Sequence, residues 1–189
     1  MNAFLVSTGI VALSEIGDKT QLLALLLAAR FRAPVPICLG ILIATIANHS
    51  LAGALGTWLT GVLGPIALRW VIGISFIGMG LWTLVPDKLE EDPNRKERLG
   101  VLGTTIIAFF LAEMADKTQF ATMALAARFN AFLPVVAGTT LGMMLADVPV
   151  VLLGDRVARR LPVQAVHGVA AVLFIAMGVL ALLGPAAPF

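Results

Sequence analysis

The chain has 189 residues, of which 59% are hydrophobic and only 13% charged, and a mean hydropathy of +0.98. That is too apolar for a water-soluble domain, and at about 20 apolar residues per helical crossing it holds about six or seven spans at most, with no room for a soluble catalytic domain. Disordered, collagenous and nucleic-acid-binding classes are excluded; the net charge of +2 reflects Lys and Arg gathered on one side of a membrane, and a lone Cys38 excludes an intrachain disulfide or a cysteine-based metal site.

In chain order, apolar stretches run over 4–29, 34–60, 64–86, 100–127, 132–154 and 162–184, punctuated by Pro34, Pro36, Gly64-Pro65, Pro86, Pro134 and Pro162. The fold class expected is an all-α membrane protein of six transmembrane helices. The first stretch lacks a basic leader and a small-residue cleavage site, so it is expected to be a retained span. With no transit or lipidation pattern, insertion into a prokaryotic inner membrane is expected. Between the third and fourth spans, nine of the twelve residues from Asp87 to Arg98 are charged. The expected division is a first three-helix unit at 1–86, a charged cytoplasmic linker at 87–99 and a second three-helix unit at 100–189.

The two units are copies. Glu15 to Phe31 reads EIGDKTQLLALLLAARF and Glu113 to Phe129 reads EMADKTQFATMALAARF, with ten identities in seventeen at a constant offset of 98. Pro36 and Gly40 meet Pro134 and Gly138 at the same offset, so the duplication continues into the next helix. Three spans per copy is an odd number, so the second copy must enter the membrane from the opposite side, the inverted-repeat plan of secondary transporters. Arg30, Arg32, Lys88, Arg95, Lys96, Arg98, Arg156, Arg159 and Arg160 then fall on one side, the cytoplasmic one, against Arg128 and Arg69 on the other. Both termini are expected outside. Trp58, Trp70 and Trp82 read as interfacial anchors, and Gly53, Gly56, Gly73, Gly78 and Gly80 as close helix contacts.

Glu15, Asp18 and Lys19 lie near the middle of the first span, and Glu113, Asp116 and Lys117 near the middle of the fourth. Facing lipid alone, six such charges would cost on the order of 15–20 kcal/mol. Helical spacing of i, i+3 and i+4 gathers each trio on one face, and the twofold axis of an inverted repeat brings the trios together at the midplane. Four carboxylates against two ammonium groups leave a formal charge of −2, which one divalent cation or two protons neutralise. Glu15, Asp18, Glu113 and Asp116 are therefore the expected metal ligands, with Lys19 and Lys117 moderating the empty site. The plainer alternative makes Glu15–Lys19 and Glu113–Lys117 intrahelical bridges that only hold helices together.

Thr20, Gln21, Thr118 and Gln119 are supporting groups, as ligands or as hydrogen-bonding partners of backbone. Asn48-His49 aligns at the same offset with Ala146-Asp147; Asn48 and Asp147 are supporting candidates, and for Asn48 and His49 interhelical bonding stands level with site lining. Pro149 loosens the helix just after Asp147. Gly17 reads as an unwinding point, and with Ala115 as its counterpart any local break is expected to be asymmetric. His167 reads as an interface residue. Hard oxygen donors suit Mn²⁺, Ca²⁺ or Mg²⁺, and Met114, Met143 or Met144 could add a thioether favouring Mn²⁺.

The doubled E-x-G-D-[KR]-[ST] signature, complete at Glu15–Thr20 and with Ala115 in place of Gly at Glu113–Thr118, resembles the family of small membrane cation/proton exchangers, over nearly the whole chain. The resemblance implies Mn²⁺ export in bacteria, Ca²⁺ and Mn²⁺ transport in eukaryotic relatives, and proton exchange as the driving force. The expected function is thus secondary active export of Mn²⁺, or of Ca²⁺, against protons in a lipid bilayer. No bound cofactor, nucleic-acid partner or enzymatic activity is expected. A passive divalent-cation channel is the first alternative, since an acidic ring serves it equally; an intramembrane enzyme or a scaffold follows, the enzyme disfavoured by the lack of any His-Glu-x-x-His, nucleophile-elbow or phosphate-loop motif.

Overall fold

The computed structural model describes residues 2–85, 99–153 and 163–183, and among these every regular element is helical. In chain order the helices are α1 (Ala3–Glu15), α2 (Lys19–Phe31), α3 (Pro34–Val62), α4 (Pro65–Thr83), α5 (Gly100–Glu113), α6 (Lys117–Phe129), α7 (Phe132–Leu153) and α8 (Val163–Leu183). Asn2 caps α1 by accepting the Phe4 N–H, and Pro34 and Pro65 open α3 and α4, where a missing amide hydrogen costs nothing. α2 and α6 both end on a left-handed residue, Arg32 and Asn130, which lie 98 positions apart.

Four helices, α3, α4, α7 and α8, are long and apolar enough to cross a membrane. The stretches 4–29 and 100–127 differ from expectation. Each was expected as one continuous helix, and each is divided at its acidic motif into a pair of short helices. The charged segment 87–98 and the Arg156, Arg159 and Arg160 cluster lie outside the described residues.

Packing repeats at the offset seen in the sequence. α1 lies along α7 and, correspondingly, α5 lies along α3. A Cβ on Gly138 would stand 2.5 Å from the Phe4 carbonyl and 3.0 Å from Ser7 Cβ; one on Gly40 would stand 3.2 Å from the Leu102 carbonyl and 2.7 Å from Thr105 Cβ. Phe4 and Leu102, and Ser7 and Thr105, are again 98 apart. α4 and α8 pack on each other: Gly80 meets Ala171 and Ile175, Gly178 meets Gly73 and Ile77, and Phe76 stacks on its own counterpart Phe174 with ring centroids 6.2 Å apart. Small residues let these backbones approach, which substitutes for the hydrophobic drive that lipid does not supply. Gly53, Gly56, Gly73 and Gly80 make the close contacts expected of them, whereas Gly78 faces open space. Trp58, Trp70 and Trp82 are exposed, as are Leu39, Ile43, Leu51 and Leu55 along α3.

Candidate metal centre

The two acidic motifs are turns, not helix faces. α1 stops at Glu15; Ile16 takes φ −64°, ψ 115°, Gly17 takes φ 83°, and the Asp18 N–H donates to the Glu15 carbonyl at 3.0 Å. In the second copy Met114 takes φ −61°, ψ 127°, Ala115 takes φ 58°, and Asp116 N–H donates to the Glu113 carbonyl at 3.1 Å. These are the dihedrals of a type II turn, whose third position needs a positive φ. The glycine of the first motif supplies it freely. Ala115 adopts it at a cost of about 1–2 kcal/mol, so both repeats break, and the asymmetry between Gly17 and Ala115 lies in the strain that the second turn carries.

The same side chains brace each turn. Gln21 Oε1 accepts the Gly17 N–H at 2.9 Å and Gln119 Oε1 accepts the Ala115 N–H at 2.8 Å. The Thr20 hydroxyl donates to Glu15 Oε2 at 2.6 Å and the Thr118 hydroxyl to Glu113 Oε2 at 2.9 Å. Each glutamine then reaches into the other repeat. Gln119 Nε2 donates to Asn48 Oδ1 at 2.9 Å, and Gln21 Nε2 donates to the carbonyl of Ala146, the residue 98 after Asn48, at 3.1 Å. Asn48 Nδ2 also donates to the Phe110 carbonyl at 2.9 Å. Asn48 is therefore a brace for the opposite motif.

The lysines cross over as well. Lys117 Nζ lies 2.7 Å from Asp18 Oδ1 and Lys19 Nζ lies 3.0 Å from Asp116 Oδ1, so each motif's lysine pairs with the other motif's aspartate. This replaces the alternative of Glu–Lys bridges within one helix, which a broken helix cannot form. The two pairs are not equivalent: Lys117 is fully enclosed, whereas the Lys19 side chain is 24% exposed.

Glu15, Asp18, Glu113, Asp116 and Asp147 are all buried. Carboxylate oxygens of Glu15, Glu113 and Asp116 lie within 4.8 Å of one another. Two donors on a single ion are separated by at most about twice a metal–oxygen bond of ~2.0–2.6 Å, so these three fit one cation. Asp18, the fourth expected ligand, is not in that cluster. Among the described residues Glu15 Oε1, Glu113 Oε1, Asp116 Oδ2 and both Asp147 oxygens have no hydrogen-bond partner, which is unusual for buried carboxylates outside a binding site.

The methionines contribute nothing here. Met114 is 52% exposed, and Met143, with Met144 packed against the same cluster, lies among apolar side chains that include Val11, Leu23 and Phe109. Both histidines turn out to be close to the motifs. His167 Nε2–H donates to the carbonyl of Ile16, inside the first turn, at 2.6 Å rather than serving the membrane surface, because α8 runs beside α1. His49 Nε2 stands 3.8 Å from Glu113 Oε2. The signal for His49 was its alignment with Asp147: two ionisable residues at one repeat position.

A family model described as "Divalent cation/proton antiporter GDT1" matches residues 3–91 and again 101–188, one match per repeat. The chain is 48% identical over 178 residues to a Vibrio cholerae protein named "Putative manganese exporter", covering 94% of this chain and 88% of that one. It is 30% identical over 226 residues to GDT1-like protein 5 of Arabidopsis thaliana, covering 98% and 97%, and 29% identical over 193 residues to GDT1-like protein sll0615 of Synechocystis, covering 92% and 93%. No solved structure matches the chain.

Proposed function

The chain belongs to the GDT1 family of divalent cation/proton antiporters, a family of transporters rather than enzymes, and on that premise we propose that it exports Mn²⁺, with Ca²⁺ as a second substrate, in exchange for protons across a bacterial inner membrane. The observation that carries this reading is the buried cluster of Glu15, Glu113 and Asp116 with three unpartnered oxygens. Two of the ligands come from one repeat and one from the other, so the cation joins the halves that must move. The α1–α2 and α5–α6 pairs serve as broken spans beside α3, α4, α7 and α8, making six crossings in two inverted sets of three, with both termini outside. Interrupted helices at a midplane site are the usual means by which transporters expose backbone and side-chain donors to an ion.

The two aspartate–lysine pairs cancel, leaving Glu15 and Glu113 to supply a formal charge of −2 from the two motifs, to which the buried Asp147 adds a further carboxylate. Protons and cation then compete for the same oxygens, which is the condition for exchange. Asp116 belongs to the cluster and its partner Lys19 is the exposed lysine; the arriving cation displaces Lys19. Asp18, held by the enclosed Lys117, waits. When the halves rock, the roles of Asp116 and Asp18 exchange, as the crossed pairing allows.

Proteoliposomes with an imposed pH gradient test the proposal. Mn²⁺ flux should follow the gradient and be abolished by Glu15→Gln and by Glu113→Gln, with the protein still folded and inserted. Flux indifferent to the gradient would favour the passive-channel alternative, and near-normal flux in both variants would remove the site.

A further inference from the structure

Building on the proposed transport site, we infer that His49 is a direct ligand of the cargo and makes the site selective for d-block divalent ions over Ca²⁺ and Mg²⁺. Its ring is fully buried, and neither nitrogen has a hydrogen-bond partner among the described residues. A neutral imidazole always carries one N–H and one lone pair, and burying both unpaired carries a desolvation cost that native structures avoid unless something else occupies the position. Its Nε2 stands 3.8 Å from Glu113 Oε2. That is too long for a hydrogen bond, yet well within the separation of two donors bound to one ion. Glu113 is itself a member of the carboxylate cluster, and His49, which stands outside the three-carboxylate group, adjoins it on the Glu113 side, so an ion seated there draws the ring in by a small shift.

Local architecture holds the ring in place. Asn48, the preceding residue on α3, is tied to Gln119 and to the Phe110 carbonyl, which fixes this turn of α3 against the α5–α6 break. The opposite repeat has the same arrangement with a different donor: Ala146 takes the tie from Gln21, and Asp147 follows it, fully buried with two oxygens that have no hydrogen-bond partner among the described residues. One repeat thus presents a nitrogen and the other a carboxylate at equivalent positions. Ca²⁺ and Mg²⁺ favour all-oxygen shells, whereas imidazole suits first-row transition ions, so a shell that adds the His49 imidazole to carboxylate oxygens discriminates between the two classes.

Electron spin-echo modulation of Mn²⁺ bound to the purified full-length protein tests this without transport. The expected result is ¹⁴N modulation in the wild type, its loss in His49→Gln, and its retention in His167→Gln, the chain's other histidine. In proteoliposomes, His49→Gln should raise the half-saturating Mn²⁺ concentration by about ten-fold or more, at least the loss an outer-sphere partner causes, while the Ca²⁺ value stays within about three-fold. His49→Asp, which restores an oxygen donor, should remain transport-competent and shift preference toward Ca²⁺. Wild-type protein that binds no Mn²⁺ or shows no ¹⁴N modulation, modulation that survives in His49→Gln, or equal losses for both ions would overturn the assignment. Modulation present but flux uncoupled from the pH gradient would count against the proposed antiport alone.

Discussion

The crossed lysine–aspartate pairs differ in enclosure, and that difference has a measurable consequence. Lys117→Met leaves Asp18 as a fully buried carboxylate that has lost an ammonium at 2.7 Å. Breaking such a pair costs about 3–5 kcal/mol, mostly because the remaining buried charge loses that counter-ion without gaining water. Lys19→Met removes the equivalent group from Asp116, but Lys19 is a quarter exposed, so water already screens the pair and the loss should be about 1 kcal/mol or less. For a chain of this size each kcal/mol moves the melting midpoint by roughly 2–4 °C. Thermal melts in detergent should therefore fall by roughly 6–20 °C for Lys117→Met and by no more than about 4 °C for Lys19→Met. Adding Asp18→Asn to Lys117→Met removes the stranded charge and should recover much of the loss, because the two residues are coupled. Equal destabilisation by the two lysine variants, or a double variant less stable than Lys117→Met, would refute the enclosed-pair argument.

Gly17→Ala should destabilise the first turn by about 1–2 kcal/mol, whereas Ala115→Gly should be neutral to slightly stabilising, since it relieves a strained φ while loosening the unfolded chain; equilibrium unfolding of both variants checks the asymmetry. Gly138→Val drives a side chain into the Phe4 carbonyl and should cost about 1–3 kcal/mol or more, and Gly40→Val should do the same against Thr105; Gly78→Val, facing open space, should cost far less. Mn²⁺ affinity should fall as pH drops, because protons and metal compete for the same oxygens, and a binding isotherm unchanged between about pH 6 and 8 would contradict exchange. Reporters fused after residue 92 and at the C-terminus should report the cytoplasm and the outside respectively; a shared compartment would refute the inverted arrangement.

The sequence alone sufficed for everything that depends on local composition or on self-comparison. Hydropathy marked the apolar stretches that became α3, α4, α7 and α8 within a few residues, because a lipid-facing helix is apolar irrespective of its neighbours. The offset of 98 between Glu15 and Glu113 located the charged groups, because ionisable residues in such stretches are too costly to be incidental. Which groups meet was decided elsewhere. The i, i+3, i+4 spacing gathered each trio on one face without deciding which lysine meets which carboxylate; Lys19 and Lys117 find their aspartates across the repeat interface, a choice set by docking between segments nearly a hundred residues apart. Gly17 hinted at one break and Ala115 hid the other, since a residue's intrinsic preference of about 1–2 kcal/mol is outweighed when Gln119 and the paired carboxylates hold the turn. His49, His167 and the separation of Asp18 from the other three carboxylates likewise follow from tertiary contacts, for burial and proximity belong to the folded molecule and leave no periodic trace along the chain.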